Sequence, residues 1–360
     1  MVSVLGFGCM RFPVNVVNGK QTTDEEYTVK MLLRAYELGI NYFDTAYFYC
    51  DGMSEVVLGK AVHDFRRNIY LSTKCHSRYM HKRGDLRRLL EEQLNKLQTD
   101  YIDFYHLHGI RFSTLVETDK KVMWIGDLQK AKEEGLIRHI AFSTHDTPDN
   151  TIRIIDTGIF ETMLCQYNLI DRQNEWPIKV AAGKGIGIAV MGPLGGGRIT
   201  ELPDNLPGNE KNNVAAALRF VMSNKDVSCI LSGMSLISQL EENVLTVSGR
   251  EALSSREIRE INNLMEQKKN LSDLYCTGCG YCMPCPIGVD IPEIFKAANY
   301  ARIYGVSDYA RKKYTAIGIE NKGKRADSCI ECGVCENKCP QGLKIRKQLI
   351  QSHKLLSSDN

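Results

Sequence analysis

The chain has 360 residues, 43% of them hydrophobic and 25% charged, with a formal net charge of +3. That length suits one large domain plus a smaller module, and that composition suits a globular protein rather than a disordered one. The weak net charge gives no reason to expect nucleic acid or an acidic membrane surface as the main partner. No apolar run approaches the roughly 20 residues of a membrane span. The N-terminus, Met-Val-Ser-Val-Leu-Gly-Phe-Gly, has no signal-peptide pattern, so a cytoplasmic location is expected.

In chain order, short β-rich runs are predicted at 4–8, 41–44, 69–74, 101–108, 137–143, 163–167, 187–191 and 227–232. Amphipathic helical stretches lie between them, among them 24–38, 54–63, 85–97 and 122–134. Gly39, Gly135 and Gly183 stand where helices are expected to end, in the left-handed cap that glycine adopts cheaply. Eight β-then-α units in about 250 residues predict a parallel (β/α)8 barrel, the TIM-barrel form of the α/β class. The rival is a doubly wound open sheet, which wants Gly-x-Gly-x-x-Gly after an early strand; Gly6-Phe7-Gly8 is followed by Arg11 instead.

Thirteen cysteines are unevenly placed. Five (Cys9, Cys50, Cys75, Cys165 and Cys229) are scattered through the barrel and read as small buried residues. The other eight form two runs, Cys276-x2-Cys279-x2-Cys282-x2-Cys285-Pro286 and Cys329-x2-Cys332-x2-Cys335-x3-Cys339-Pro340. This shift divides the chain into a barrel, 1–260, and a small, mostly helical ferredoxin-like iron–sulfur domain, 261–360. The second run has the spacing of bacterial 4Fe-4S ferredoxins, in which the fourth cysteine serves the other cluster. That pattern gives Cys276, Cys279, Cys282 and Cys339 to one 4Fe-4S cluster and Cys329, Cys332, Cys335 and Cys285 to a second. The first run departs from it by one residue before Cys285. Zinc sites and disulfides are the alternatives.

At the end of the second predicted strand, Asp44 and Tyr49 stand five residues apart, where a barrel enzyme places chemistry. Residues 1 to about 250 resemble the aldo-keto reductases. The resemblance is carried by Phe-Asp-Thr-Ala-Tyr-Phe-Tyr at 43–49, Leu-Ser-Thr-Lys at 71–74 and Asp-Tyr-Ile-Asp-Phe-Tyr-His-Leu-His at 100–108. Gln-Tyr-Asn-Leu-Ile-Asp-Arg at 166–172 and Gly-Pro-Leu-Gly-Gly-Gly at 192–197 extend it. It implies a catalytic tetrad of Asp44, Tyr49, Lys74 and His108. The chemistry is coherent: a phenol is a poor acid at neutral pH, a neighbouring ammonium favours its phenolate, and a carboxylate holds that ammonium. His108 would hydrogen-bond the substrate oxygen; His106, two residues away on the same strand face, competes with it.

The resemblance also implies a nicotinamide nucleotide across the barrel top, held by Gly8, Asp44, Ser143, Gln166, Met191, Pro193, Leu194, Gly196, Gly233, Gln239 and Asn243. The sequence departs from the family pattern at several of these positions. Thr144 replaces an asparagine, Met191 stands where many members carry an aromatic ring, and the Gly233-Met234-Ser235 and Gln239 region lacks the cations that clasp a 2′-phosphate. NADP is expected on family habit, with NAD and a flavin left open. The expected function is hydride transfer between that cofactor and a carbonyl or alcohol substrate, with Tyr49 as general acid/base and the clusters moving electrons to a redox partner protein. The alternative is an electron-transfer or regulatory protein whose barrel does not turn over.

Three further stretches carry expectations. The basic run 78–88 reads as a solvated helix face, or else a docking patch for an acidic redox partner or an anionic substrate. Arg311-Lys312-Lys313 is read in the same way. Residues 111–120 are expected to form a long loop that shapes the substrate pocket.

Overall fold

The computed structural model describes residues 1–17, 20–197, 199–201, 213–249, 252–267, 276, 278–304, 307–319 and 323–357. Eight parallel strands close into a barrel: β1 (Leu5–Gly8), β4 (Tyr42–Asp44), β5 (Tyr70–Cys75), β6 (Ile102–Ile110), β7 (Ile137–Thr144), β8 (Thr162–Gln166), β9 (Gly187–Met191) and β10 (Cys229–Ser232). Around the barrel they run β1-β10-β9-β8-β7-β6-β5-β4, and β4 closes on β1 with Gly8 opposite Asp44. The open-sheet alternative is therefore excluded. The strands are short and nearly continuously apolar because both faces are covered, one by side chains inside the barrel and one by helices. Tyr42, Leu164, Ala189, Cys229 and Leu231 pack together as buried neighbours from β4, β8, β9 and β10. At Gly6 an added Cβ would lie 2.6 Å from Leu231 and 2.9 Å from the Cys229 sulfur, so a larger residue would force these side chains to shift.

The helices α1 (Glu25–Glu37), α2 (Met53–Val62), α3 (Asp85–Leu97), α5 (Trp124–Glu133), α6 (Pro148–Ile155), α7 (Glu175–Gly183), α8 (Asn213–Met222) and α9 (Ile237–Ser248) follow the strands. Their starts obey local chemistry. Asp24 accepts from the Tyr27 amide to cap α1, and Thr147 caps α6 with Pro148 at its first position. Helices α2 and α3 approach closely at Gly59, where a Cβ would sit 2.6–2.8 Å from the backbone of Lys96 and Leu97.

Two expectations need correction, and one element is additional. Residues 111–120 are not a loop: they fall mostly in helix α4 (Phe112–Val122), whose apolar Leu115 and Val122 are buried. An antiparallel hairpin, β2 (Val14–Val17) with β3 (Lys20–Thr23), stands between β1 and α1 and was not anticipated. Gly183 lies inside α7, and the left-handed glycine beyond that helix is Gly185; Gly39 and Gly135 do hold positive φ.

By its internal contacts the chain divides into two compact units, Met1–Leu194 with Val214–Ser254, and Gly195–Asn213 with Ser255–Asn360. The second contains α10 (Ser255–Gln267), α11 (Ile291–Tyr304), α12 (Ser307–Ala316), α13 (Val334–Lys338) and α14 (Ile345–Ser357). Val289, Ile294, Phe295, Ala298, Tyr314 and Leu349 belong to its core. The Tyr314 hydroxyl accepts from the Ala326 amide at 3.2 Å and lies 2.6 Å from His353 Nδ1, tying α12 to α14 and to the segment leading into Cys329. No helix among the described residues is long and apolar enough to cross a membrane.

Candidate active site and cluster cysteines

Residues two apart on a strand share a face. Ser72 and Lys74 on β5 therefore point together, and both reach Asp44 at the end of β4. The Lys74 ammonium donates to Asp44 Oδ2 at 2.5 Å and to the Thr45 carbonyl at 2.6 Å, while Ser72 Oγ donates to Asp44 Oδ1 at 2.7 Å. Lys74 is 1% exposed, so its charge is compensated entirely by built-in partners.

Tyr49 enters on the loop after β4. Its ring lies 5.0 Å from Lys74 Nζ and meets the His108 ring edge-on, with centroids 5.8 Å apart. Phe48 stacks on His108 at 5.1 Å and 14°. Asp44, Tyr49, Lys74 and His108 are thus brought together. Tyr47, the competing phenol, instead turns to Glu92, whose carboxylate oxygens are each 3.1 Å from its hydroxyl. Behind Tyr49 the backbone reverses hand: Cys50, Asp51 and Gly52 hold φ of 52°, 55° and 85° before α2 begins. Left-handed backbone costs a non-glycine residue about 1 kcal/mol or more, so two such residues in a row form a strained mount beneath the phenol.

Burial disfavours the charged form of the histidines here. Burial, reinforced by Lys74 and by His76, His145 and His106, holds His108 well below the usual imidazole range. Burial also lowers His106 to about 3, and His76 and His145 each to about 4. A neutral imidazole still carries one N–H to donate. The barrel thiols are suppressed as nucleophiles: burial raises Cys9, Cys75, Cys165 and Cys229, and also half-buried Cys50. Cys9, Cys75, Cys165 and Cys229 are small buried residues, as expected, whereas Cys50 is only half-buried.

Sequence reasoning missed the layer that supports Lys74. Buried Glu55 accepts from Thr73 Oγ1 and Gln93 Nε2, each at 2.6 Å, and Gln93 also reaches the Lys74 carbonyl at 3.2 Å. Tyr105 donates to Gln93 Oε1 at 2.7 Å. Ser72 was legible in principle, being two residues before Lys74 on one strand. Glu55 and Gln93 gave no signal, because helical neighbours of a strand cannot be read from spacing.

Of the expected cofactor residues, Asp44 is shared with the tetrad, and the others of the barrel unit follow β7, β8, β9, β10 and β1. Ser143 is the penultimate residue of β7 and accepts from the Gly109 amide at 2.8 Å. Gln166 ends β8 and donates to Asp171 at 3.0 Å, and Met191 ends β9. Pro193 and Leu194 follow β9, and Gly196 lies just beyond, in the second compact unit. Gly192, Gly195, Gly196 and Gly197 all hold positive φ, a backbone that side chains would resist. Gly8 packs against the Ser232 carbonyl, where a Cβ would come within 3.3 Å. Beyond β10, Gly233 lies close to Gly8. Two residues are committed internally: Gln239 accepts from the Ser235 amide at 3.0 Å, and buried Asn243 donates to Ser232 Oγ at 3.2 Å.

In the second unit the eight cysteines fall into two groups. Cys285, Cys329, Cys332 and Cys335 line one small cavity, together with Ile287, Val289 and Leu349. Cys276, Cys279 and Cys339 act electrostatically on Cys282, whose thiol is raised to about 12, first by burial and then by those three neighbours. Cys285, from the first run, thus sits among thiols of the second, and Cys339 among thiols of the first. The Glu331 amide donates to Cys329 Sγ at 3.4 Å. Among the described residues no three Cys, His, Asp or Glu side chains converge tightly enough to grip a single ion.

Comparison with known proteins accords with both halves. A family model for the aldo/keto reductase family matches residues 4–214, and one for a 4Fe-4S dicluster domain matches 275–344. L-galactose dehydrogenase from Arabidopsis thaliana is 31% identical over 305 residues, spanning 75% of this chain and 93% of that protein. The NADH-specific methylglyoxal reductase of Escherichia coli is 26% identical over 297 residues, spanning 66% and 89%. Among solved structures, the holo form of aldo-keto reductase AKR11C1 from Bacillus halodurans aligns with a TM-score of 0.63 at 26% identity, over 73% of this chain and 92% of that one. The chain belongs to the aldo/keto reductase family, and its barrel is followed by a 4Fe-4S dicluster domain.

Proposed function

We propose that the protein is an iron–sulfur aldo-keto reductase that transfers hydride between a nicotinamide nucleotide, NADP or NAD, and a carbonyl or alcohol substrate. The observation that carries this reading is the convergence of Asp44, Lys74, Tyr49 and His108 at the strand ends. The nicotinamide, when bound, supplies the hydride. Ser143, Gln166, Met191 and positive-φ Gly192 are the residues of the barrel unit that would hold it; the Ser143 hydroxyl accepts from Gly109 and keeps its own proton to donate. The adenosine end is less well furnished, since Gln239 and Asn243 are already bonded within the barrel.

The side chains divide the remaining work. Tyr49 gives its proton to the carbonyl oxygen as charge develops there, and takes it back in the oxidative direction. Lys74 favours the phenolate that results, held in place by Asp44 and the Thr45 carbonyl. Neutral His108 donates a hydrogen bond to the same oxygen, and Phe48, stacked on it, walls the site against water. Each cysteine group would hold one 4Fe-4S cluster, Cys285 and Cys339 exchanging runs, and the clusters would pass electrons to a partner.

In anaerobic carbonyl reduction with NADPH or NADH, Tyr49→Phe is expected to lower kcat by about 10²–10⁴. Retention of activity within tenfold of the wild type removes Tyr49 as the acid. A second reading, a one-electron carrier whose barrel does not turn over, is favoured by exposed Cys332 and by Ile330, 65% exposed, both at the cluster cavity. Wild-type protein that exchanges electrons with a viologen dye but reduces no carbonyl would select that reading.

A further inference from the structure

The basic run at 78–88 is partly spent on the fold: Arg87 is held on α3 by Glu91 and Glu134, and Arg88 faces Asp85 and Glu92. The second compact unit carries positive charge elsewhere, around the cysteines of one group. From residue 323 to 357 seven lysines and arginines stand against three acids.

Helix α14 arranges several of them. Ile345, Gln348, Leu349, Ser352 and Leu356 form its buried face, so Arg346, Lys347 and Ile350 turn outward. Arg346 lines the cavity of Cys285, Cys329, Cys332 and Cys335. It fastens α14 there, donating to the Glu336 carboxylate at 2.8 Å from its guanidinium and at 2.9 Å from its amide, and reaching the Glu331 carbonyl at 3.4 Å. Ile350 stands one turn further along the same stripe of the helix. Beside that cavity Cys332 is exposed, Ile330 is 65% exposed and Ile350 56% exposed.

Lysines border these isoleucines. Lys344 precedes α14 and, after Arg346, helps hold the Glu336 carboxyl below its usual range. Lys347 adjoins Arg346, and Lys338 ends α13 three residues past Cys335. All three are exposed, and none is paired with a carboxylate among the described residues. Of the acids, Glu336 is committed to Arg346, while Glu331 and Asp327 are exposed. A cationic rim around an apolar centre selects an acidic partner. A second copy of this chain fits it poorly, because a two-fold contact would set lysine against lysine.

We propose that the face around Ile330 and Cys332 docks a small acidic one-electron carrier protein, with Ile330 and Ile350 at the centre and Lys338, Lys344 and Lys347 at the rim. This rests on the iron–sulfur part of the reading above and gives the redox partner a charge and a place. In the exchange one protein loses one electron and the other gains it, and no bond between them forms or breaks. The rim speeds encounter, and the isoleucines set how long the complex lasts.

The test uses anaerobically purified full-length protein with its clusters, reduced by dithionite. An acidic flavodoxin is the probe and a basic cytochrome c the control. The protein is oxidised by one electron while the flavin is reduced to its semiquinone, taking its proton from water. Stopped-flow absorbance gives the second-order rate constant, and calorimetry with both proteins oxidised gives Kd without electron flow. For the wild type the rate constant should fall about tenfold or more between about 20 and 500 mM salt, as screening weakens steering. Lys338→Glu/Lys344→Glu/Lys347→Glu should lower it about ten- to a hundredfold at low salt and match the wild type at high salt. Lys30→Glu/Lys130→Glu/Lys184→Glu changes net charge equally but spreads it over α1, α5 and the end of α7, and should lower the rate by about threefold or less. Ile330→Ser should raise Kd about tenfold at either salt. A salt-independent wild-type rate, equal losses in the two triple variants, or tighter binding of the cytochrome overturns the proposal. Binding of phosphatidylserine vesicles, or self-association, in place of flavodoxin binding overturns it too. Iron well below about eight per chain would count against the clusters instead. Calorimetry then still decides the face: flavodoxin binding that the lysine variant loses upholds it, and no binding by the wild type overturns it.

Discussion

Replacing Lys74 by methionine separates what the buried ion pair does for the fold from what it does for chemistry. At an effective dielectric constant of about 20, opposite charges 2.5 Å apart attract by about 7 kcal/mol. Each ion has lost several kcal/mol of hydration to be there. The pair is therefore worth little net, but Lys74→Met strands Asp44, 4% exposed, with one remaining side-chain donor in Ser72. Breaking a buried pair in this way costs about 3–5 kcal/mol. The double variant Asp44→Asn/Lys74→Met removes the stranded charge, and most of that loss should return. Activity should not: both variants lack the cation that favours phenolate, and kcat should stay down by about a hundredfold or more. Urea unfolding followed by the fluorescence of fully buried Trp124 reports the first quantity, and anaerobic hydride transfer the second. A double variant as unstable as the single would refute the electrostatic account. Recovered activity in the double variant would remove Lys74 from the chemistry.

The buried histidines give a pH prediction with a definite sign. Folded His106, near 3, lies below its unfolded value of about 6.5, so the unfolded chain takes up protons first as pH falls. Its contribution is complete above about pH 6.5 and should amount to a loss of about 2 kcal/mol at pH 5, with His108 adding in the same direction. Urea midpoints between pH 7.5 and 5 that do not decline would contradict this. Gly59→Ala drives a methyl into the backbone of Lys96 and Leu97 and should cost about 1–3 kcal/mol, again read by urea unfolding. The exchanged cysteines predict that Cys285→Ala and Cys339→Ala each remove one cluster, lowering about eight irons per chain to about four. Iron analysis with electron paramagnetic resonance checks this, and identical residual spectra from the two variants would refute separate sites.

What could be read from the sequence followed from local periodicity. All eight strands were visible because a barrel strand buried on both faces is a short apolar run, and Asp44, Lys74 and His108 were visible because each closes one. The parity that pairs Ser72 with Lys74 was equally readable. Helix α4 was not, since Phe112 to Val122 carries four charged residues and its apolar positions only make sense once packed. The hairpin could have been found: Asn18-Gly19 stands between two Val- and Thr-containing runs, a strong turn signal. The choice of Gly185 over Gly183 as the left-handed residue depends on where α7 stops, which tertiary packing decides. Glu55 and Gln93 could not be read, because their meeting beneath β5 joins residues 38 apart.

The left-handed turn at Cys50, Asp51 and Gly52 bears on how this active site can change. Three consecutive residues of that hand cannot be absorbed into α2, so the helix cannot lengthen toward the phenol or carry it along when it shifts. Branched side chains are barred from those positions, and insertions there would turn Tyr49 away from Lys74. Novelty in substrate choice has to arise away from that turn, along the rim after β5, where φ is negative at His76 and Met80.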